Sequence, residues 1–417
     1  MKKYKTKQDS TKAAGTKKTV KYTFKNTDAS DIEKEENKLI RYGIQQASVV
    51  PSLKRLDGTQ YILLGSLNIL TLYFKIVHVY KDMLLSIKYT DVIQVIFDYF
   101  QYIVDLYFIF KYSNNMEVYL RNYRKIDEAL GCAYSPELKR KLLKLVLIFG
   151  SSWTLTCACD FWAWWYCAGL EVSLVFSISY IYIFIKVLTS LDLTSHVLQI
   201  EFRLRNIAEK AQTWLDTIKL RKDSTLKMKL YTRSDVIIEH SLDDVEFNSA
   251  DNLPKFILLS KSYLWLLEQV NFINEVFGTR ILLNSVSLLI DIVRFTNIAA
   301  RIHLGSQHLN RNYVGIYPVI STIMRIMLCI AILVSMVHHC ELSYRQRDRI
   351  IHIIDHFNII NEARQDTGST LDGLQSLVQS RRIDFHMSSL TQLNYSLLSS
   401  MASIVVTYTV ILLQSVN

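Results

Sequence analysis

The sequence predicts an all-α membrane protein with seven transmembrane helices, and three observations lead to this fold class. Half of the 417 residues are hydrophobic, and they are concentrated in seven long apolar stretches. The chain has only 12 Gly and 4 Pro, too few for a β-rich protein with many tight turns. Lys and Arg are distributed unequally between the segments that connect the stretches. A segment that crosses a bilayer must satisfy its own backbone hydrogen bonds, so we expect helices.

Each apolar stretch is about as long as the hydrocarbon core of a bilayer requires, roughly 20 residues. The seven predicted spans are 61–80, 92–110, 143–163, 169–189, 280–300, 314–338 and 397–414. The last is the clearest, because residues 387–417 contain no charged side chain. The other spans contain charges, and we note Lys75, Asp98, Asp105, Glu171, Lys186, Asp291, Arg294 and Arg325.

The orientation follows from the positive charges, which are enriched in cytoplasmic loops. With the N-terminus in the cytosol, the inner segments hold 28 Lys and Arg even when the long segment 190–278 is set aside. The three outer connections hold four, namely Lys81, Lys88, Arg301 and Arg311. The sequence therefore predicts a cytosolic N-terminus and an extracellular C-terminus.

The predicted organisation has four parts. They are a cytosolic N-terminal arm (1–60), transmembrane helices 1–6 with a long cytosolic helical insert at 190–278 (61–338), cytosolic anchor helices (339–396) and a last helix that lines a pore (397–417). Apolar residues recur at helical spacing in 196–222, 255–278 and 341–366. We expect spans four, five and six to continue as helices into the cytosol and pack in one layer, whereas 223–250 is polar and uneven.

A polar stripe follows the last helix. Its members are Ser396, Ser400, Ser403, Thr407 and Gln414, at spacings that place them on one face. A polar stripe on a charge-free helix suits a water-filled pore, or equally hydrogen bonds between helices of a bundle. Val410, one turn from Gln414, would form an apolar collar in the first case, and Tyr408 lies off the stripe.

Charges inside spans are costly and face protein or water. Together with nearby aromatic residues they form a set of candidates for a small-molecule pocket: Asp98, Tyr102, Asp105, Trp153, Trp164, Trp165, Tyr180, Asp291, Arg294 and Arg325. An aromatic cup with a few polar groups would suit a small amphipathic ligand. Two alternatives remain open: Asp291 and Arg294 as an internal ion pair, and the tryptophans as an interfacial belt.

Cysteines and histidines add little. Cys167 is close enough in sequence to Cys157 and Cys159 for a disulfide if this stretch faces outside, and buried free thiols are the alternative. His352 and His356 have the spacing of metal ligands, but the intervening carboxylate is Asp355 and the order differs from HExxH. No metal site, cofactor or enzyme is predicted, since no phosphate-binding glycine loop or GxSxG motif occurs.

The basic arm at the N-terminus favours a solvated tail beside an anionic membrane surface over a nucleic-acid partner. Membrane lipids are thus an expected partner, and nucleic acid is not.

The end of the chain, TYTVILLQ at 407–414, resembles the TY-x5-Q signature of insect gustatory receptors. In that family the Gln is usually followed by Phe, where this chain has Ser415. Residues 381–406 resemble the segment that precedes the signature, and residues 271–283 resemble the start of the family's fifth span. The number of spans, the inverted orientation and the chain length agree with this family.

The resemblance implies a subunit of a non-selective cation channel that is opened by a small-molecule tastant. It implies location in the plasma membrane of a sensory neuron, and assembly as a homotetramer or with related subunits. The last helix would line the pore, the inner helical layer would be the anchor domain, and the ligand would bind among spans two to six. The pore residues implied are Gln414, Val410, Thr407, Ser403 and Ser400, with Gln414 as the gate candidate.

The receptor subtype and the competing protein classes have still to be distinguished. Sugar-sensing members carry an acidic residue after the TY pair, where this chain has Thr409, so a bitter or orphan receptor is favoured. A subunit of the odorant-receptor type would share the architecture. A seven-helix G-protein-coupled receptor would place the N-terminus outside, against the distribution of Lys and Arg.

Overall fold

The computed structural model describes residues 58–79, 85–112, 115–131, 136–232, 253–303, 316–360 and 368–414. They all fall in the second of two units into which the chain divides, Val49–Asn417. The predicted N-terminal arm, apart from its last three residues, lies outside the described residues, as do Cys132 and Ser415.

The described residues form nine α-helices and one two-stranded hairpin. The helices are α1 (Gly58–Phe74, continued by a π-helical turn over Lys75–Val79), α2 (Leu85–Tyr112), α3 (Asn115–Ala129), α4 (Pro136–Ala168), α5 (Leu170–Thr232), α6 (Leu253–His303), α7 (Tyr317–Ile360), α8 (Gly368–Ser380) and α9 (Tyr395–Gln414). The hairpin pairs β1 (His386–Met387) with β2 (Thr391–Gln392) in antiparallel fashion.

The all-α prediction is confirmed, and each predicted span lies in a helix as far as the structure describes it. Within the described residues, α2, α4, α5, α6, α7 and α9 are long and apolar enough to cross a membrane. The apolar stretch in the first helix, Gly65–Val77, is shorter. The remaining helices, α3 and α8, are amphipathic or short.

Three helices are much longer than a bilayer is thick. α5 has 63 residues, α6 has 51 and α7 has 44. At 1.5 Å per residue α5 extends for roughly 95 Å, against about 30 Å for the hydrocarbon core. The predicted continuation of spans four, five and six as helices is confirmed. The polar and uneven segment 223–250 is helical over its first ten residues, since α5 runs to Thr232.

The apolar core of the described residues runs through these continuations and on into the rest of the bundle, where it includes Leu288 and Ile332. We call the layer formed by residues 190–220 of α5, 256–278 of α6, 341–358 of α7 and helix α8 the extension layer. Fully buried residues recur there at alternating spacings of four and three, as in coiled coils. On α5 they are Leu193, Val197, Ile200, Leu204 and Ile207, and on α6 they are Leu259, Tyr263, Leu266, Val270 and Ile273. The apolar faces that the sequence places on these helices thus cover one another.

Helix α2, outside the extension layer, has an inverted burial pattern. Its exposed residues include Ile93, Ile96, Phe100, Ile103, Tyr107 and Phe110. Its buried residues include Asp91, Gln94, Asp98, Gln101 and Asp105. Both sets follow helical spacing, so one face of α2 is apolar and exposed while the other is polar and buried. This is the pattern expected of a helix whose surrounding solvent is lipid.

Two elements differ from the prediction. Helix α3 was not expected; its buried Tyr119 and Tyr123 share a hydrogen bond of 2.5 Å between their Oη atoms, and Tyr119 Oη lies 3.1 Å from His196 Nδ1. Burial raises the pKa of Tyr123 to about 12, so both phenols stay neutral hydrogen-bonding groups. Residues 339–396 are not all helical, because the hairpin lies between α8 and α9. The last helix begins at Tyr395, two residues before the predicted bound.

The hairpin lies directly on α6. Three residues connect the strands, and the first two, Ser388 and Ser389, have left-handed φ of 50° and 58°, while Leu390 N–H donates to the Met387 carbonyl at 2.9 Å. Asn274 of α6 donates to the Asp384 carbonyl (2.8 Å) and accepts from His386 N–H (3.0 Å). A Cβ on Gly278 would lie 2.9 Å from Ser388 N, so only glycine allows the hairpin to approach this closely.

This contact fixes where the last helix begins. Asn394 follows the hairpin and caps α9, because its Oδ1 accepts from the backbone N–H of Leu397 at 3.2 Å. The Tyr395 hydroxyl lies 2.9 Å from Nδ1 of His338 on α7. The N-terminal end of α9 is thereby attached to both α6 and α7.

We expect Gly278→Ala to destabilise the protein, because the added methyl group meets backbone atoms of the hairpin that have no freedom to move alone. Gly150→Ala is the matched control, since Gly150 is also inside a helix but a Cβ added there would meet no atom within 4 Å. Alanine there gains up to about 1 kcal/mol of helix propensity. The apparent unfolding temperature in detergent should fall for Gly278→Ala and hold or rise for Gly150→Ala; equal behaviour of the two variants would contradict the contact.

Candidate functional site

Of the eleven charged side chains that the described residues bury in the bundle outside the extension layer, ten form ion pairs with one another and Arg301 forms none. The five cations are Lys75, Lys186, Arg280, Arg294 and Arg325, and the five carboxylates are Asp91, Asp98, Asp105, Asp160 and Asp291. The charges balance. We call these ten residues the buried charge network. An unpaired buried charge costs several kcal/mol, so each side chain needs a partner close by.

Six members form one continuous chain of ion pairs across four helical segments. Lys75 lies 2.9 Å from Asp91, and Arg294 binds the same carboxylate at 2.7 Å. Arg294 also lies 3.9 Å from Asp291, so the internal pair considered for these two residues is confirmed. The nearest partner of Asp291, however, is Lys186 at 2.5 Å.

Lys186 on α5 is the centre of this chain. Its ammonium group lies between Asp291 of α6 and Asp98 of α2, the latter at 2.7 Å. Asp98 also accepts hydrogen bonds from Ser287 (2.8 Å) and Gln94 (2.7 Å). One cation thus connects three helices, and removing it would leave two carboxylates facing each other.

The remaining members form two separate pairs. Arg280 of α6 binds Asp105 of α2 at 3.0 Å. Arg325 of α7 forms an ion pair with Asp160 of α4. Asp160 also accepts from the Tyr180 hydroxyl at 2.6 Å, and the Arg325 guanidinium lies over the Tyr180 ring, 4.7 Å from its centre.

A cavity opens between the two charge clusters, at the end of the bundle away from the extension layer. Its volume is about 550 Å³, counted with the space at its open mouth. It is lined by Ile87, Asp91, Asp160, Trp164, Phe176, Arg294, Phe295, Ile298, Ile302, Thr322 and Arg325. Aromatic faces and aliphatic side chains therefore surround four charged groups, two of each sign.

Two of the residues that line this cavity each have an unused hydrogen-bond donor. The Nε atoms of Arg294 and Arg325 are buried, and neither has a hydrogen-bond partner among the described residues. Both guanidinium groups are otherwise held in place by ion pairs, so these donors are fixed in position. A buried donor without a partner costs about 1–3 kcal/mol, and an acceptor atom of a bound molecule would relieve that cost.

Three of the ten predicted pocket residues line the cavity, namely Trp164, Arg294 and Arg325. Tyr180 adjoins it through its contacts with Asp160 and Arg325, and Trp153 donates to the Tyr180 carbonyl at 3.2 Å. The other five lie elsewhere: Asp98, Asp105 and Asp291 in ion pairs deeper in the bundle, Tyr102 packed against Leu106 and Tyr182, and Trp165 half exposed on the surface.

Sequence reasoning missed Asp91 as a site residue, because it was placed in the connection before the second span. The signal was present in the sequence, since Asp91, Gln94, Asp98, Gln101 and Asp105 repeat at spacings of three and four. That repeat marks one helix face that begins at Asp91. The sequence does not identify Ile298 and Ile302 as cavity residues, because apolar residues face lipid as well as pockets.

The last helix exposes most of its surface. Along its length only Met401 is buried, and the five stripe residues Ser396, Ser400, Ser403, Thr407 and Gln414 are all exposed. Val410 and Tyr408 are exposed by 46% and 55%. The polar stripe therefore faces away from the rest of the chain, so hydrogen bonds to other helices of the same chain do not account for it.

Two further expectations are corrected or decided by the structure. Arg301, counted with the outer connections, lies inside α6 and is 2% exposed. Cys157, Cys159 and Cys167 are free thiols, so neither disulfide that their spacing allowed is formed.

We expect Lys186→Met to prevent folding, because it removes the only ion-pair partner that Asp98 has among the described residues and the closest one of Asp291. Breaking a buried pair in this way costs about 3–5 kcal/mol. Lys141→Met is the control, since Lys141 pairs with Glu137 on an exposed helix surface, where a pair contributes about 0–1 kcal/mol. The yield of monodisperse protein in detergent extracts should collapse for Lys186→Met only; similar yields would show that the pairing does not hold the bundle.

Comparison with known proteins supports the fold. No protein-family model matches the chain, and no curated protein sequence matches it significantly. Among solved structures, the chain is similar to the insect olfactory receptor OR5 from Machilis hrabei, with a TM-score of 0.53 and 12% identity. The same receptor in complex with eugenol gives a TM-score of 0.50 and 11% identity. Each match covers 85% of this chain and 88% of the receptor. The chain is therefore a membrane protein with the fold of an insect olfactory receptor.

Proposed function

We propose that the chain is a subunit of an insect chemoreceptor, a cation channel opened by a small molecule. The observation that carries this proposal is the cavity with two fixed, unused guanidinium donors among aromatic faces, in a bundle with the fold of an olfactory receptor. Such a cavity is the default binding site of a receptor. The channel part of the proposal is supported by the exposed polar stripe of α9, which is a surface suited to line a pore.

The cavity favours a neutral ligand with an apolar, flat body and at least one acceptor oxygen. Asp91 and Asp160 balance Arg294 and Arg325, so a charged ligand would add an uncompensated charge to a desolvated site. The faces of Trp164 and Phe176 lie 5.6 Å apart, stacked, beside the donors. Eugenol, the compound bound by the similar olfactory receptor, has this chemistry and is the natural first probe.

The pore is proposed to form between copies of the chain. α9 carries no charge, exposes its polar stripe, and contacts the rest of its own chain through a narrow face. Four copies, or copies with related subunits, would place Ser400, Ser403 and Thr407 along a wet lumen. Gln414 would ring its outer end, and Val410 would form an apolar collar one turn away, which can gate by dewetting.

The proposed membrane orientation and receptor subtype are based on the sequence. We place the N-terminus and the extension layer in the cytosol, the cavity and Gln414 toward the outside, and the protein in the plasma membrane of a sensory neuron. The ending at 407–414 favours a gustatory receptor of the bitter or orphan class over a sugar receptor. The fold, which is similar to that of an olfactory receptor, favours the odorant-receptor type equally.

The test is the current evoked by eugenol and related neutral aromatic compounds in cells that express this chain. In Arg325→Lys the cation remains, but the Nε donor and the planar contact with Tyr180 are lost. We expect the half-maximal ligand concentration to rise about tenfold, since a hydrogen bond from a charged donor contributes about 1.5–3 kcal/mol.

Arg280→Lys is the matched control for this experiment. Arg280 is likewise buried, paired with an aspartate and placed over an aromatic ring, Phe277, but it does not line the cavity. Its variant should respond to the ligand as the unmodified chain does, at equal surface level. Equal shifts in both variants would show that the cavity is not the binding site, and the absence of any evoked current would argue against a ligand-gated channel.

Gln414 is the second test, because it ends the exposed polar stripe. If copies ring a pore, Gln414→Glu adds one negative charge per subunit at a narrow site and should raise cation selectivity or block by divalent cations. Gln414→Ala should change unitary conductance or leak with ligand sensitivity nearly unchanged. Tyr408→Phe, off the stripe, is the control. Single-channel recordings in which all three variants match the original would place Gln414 outside the pore.

A further inference from the structure

Helix α9 packs on its own chain along one narrow apolar face, which includes Leu398, Met401 and Val405. At the inner end, Asn394 and Tyr395 fix it to the hairpin and to α7, as described above. Between the ends only Met401 is buried, and every residue of the polar stripe is exposed. No described residue of α9 beyond Val405 belongs to the buried apolar cluster, so a polar contact contributes more to the position of its outer end.

Arg301 of α6 makes that contact. Its Nη2 donates to the backbone carbonyl of Leu412 at 2.5 Å, and its Nε donates to Asn297 Oδ1 at 2.8 Å. The side chain is 2% exposed. Each cation of the buried charge network has a carboxylate partner, but Arg301 forms no ion pair with any described residue. The positively charged guanidinium of Arg301 therefore contacts the last helix.

The position of Leu412 explains why a cation is placed there. Leu412 lies in the last turn of α9, where the aligned peptide dipoles concentrate partial negative charge. Arginine side chains near a helix C-terminus bind its last carbonyl groups for this reason. In a desolvated setting a hydrogen bond from an ionised donor is stronger than one between neutral groups.

The same helix lines the cavity. Phe295, Ile298 and Ile302 of α6 face it, and Arg301 lies on the neighbouring face of the same two turns. A helix moves as a unit over this short distance, because its backbone hydrogen bonds are closed from turn to turn. A shift of α6 at the cavity must therefore move the Arg301 guanidinium and, through it, the end of α9.

We propose that Arg301 is a positioning residue, which ties the outer end of α9 to the cavity helix and so transmits cavity occupancy to the helix that carries Gln414. The tie itself stands on the geometry alone. Its role in transmission rests on the proposed function of a ligand-gated channel.

Hydrogen–deuterium exchange tests the tie without any ligand. In full-length protein in nanodiscs, amide exchange in peptides that cover 405–417 should be fivefold or more faster in Arg301→Met than in the original chain. The exchange rate in Arg301→Lys, which keeps the buried cation and part of the contact, should lie between those of Arg301→Met and the original chain. Arg301→Lys is also the variant to use if Arg301→Met does not fold. Thr296→Val is the control, since Thr296 bonds only to its own helix at Ile292, and it should change exchange less than twofold.

Eugenol then tests transmission. The dissociation constant of eugenol, measured by tryptophan fluorescence of the purified protein, should stay within twofold of the original value in Arg301→Lys. The maximal current per surface receptor should fall about fivefold in the same variant, which is within the usual range of coupling between sites. Unchanged exchange at the end of α9 would overturn the tie, and altered exchange with an unaltered ratio of current to binding would overturn transmission. A missing current in the original chain would reject the channel and with it transmission, while the exchange result would still decide the tie.

Discussion

The fold depends on pairing buried charges where the solvent around the bundle is lipid. Ten paired side chains of balanced charge lie inside together with Arg301, and apolar residues such as Ile96 and Phe100 lie outside. Moving one such ion out of water without a partner costs several kcal/mol, so an arrangement of helices that leaves a carboxylate alone is excluded. Lys186, between Asp98 and Asp291, therefore sets the relative positions of α2, α5 and α6. An ion pair requires a particular distance and orientation between two side chains, whereas dispersion between apolar faces does not.

The chain uses two kinds of core, each suited to its surroundings. In the extension layer, leucine, isoleucine and tyrosine of α5, α6 and α7 interlock at spacings of three and four, as in soluble helical bundles. The apolar cluster continues into the rest of the bundle, but apolar surface gains little there by leaving lipid, and ion pairs and polar contacts add to the packing. Continuous helices of up to 63 residues join the two regions, so each region restrains the register of the other.

Helix α6 is common to every feature that bears on function. Its first half packs in the extension layer, and Asn274 and Gly278 hold the hairpin from which α9 begins. Its second half supplies Arg294 to the cavity and Arg301 to the end of α9. A cavity with fixed donors and a weakly covered last helix are thus connected by one rigid element. This arrangement suits a receptor in which binding must be communicated over a distance.

The sequence by itself determined the long apolar helices, because apolar runs of bilayer length are local properties, whereas helix α3 and the hairpin were not predicted. It also determined the stripe on α9 and the resemblance at 407–414, since both are spacings along one helix. Only the tertiary structure decided which charges pair: Asp291 binds Lys186, 105 residues away, more closely than its helical neighbour Arg294. It also decided that Trp164 lines the cavity whereas Trp165 lies on the surface, and that Arg301 is buried. Partner choice between distant segments depends on which helix faces meet, and no local spacing contains that information.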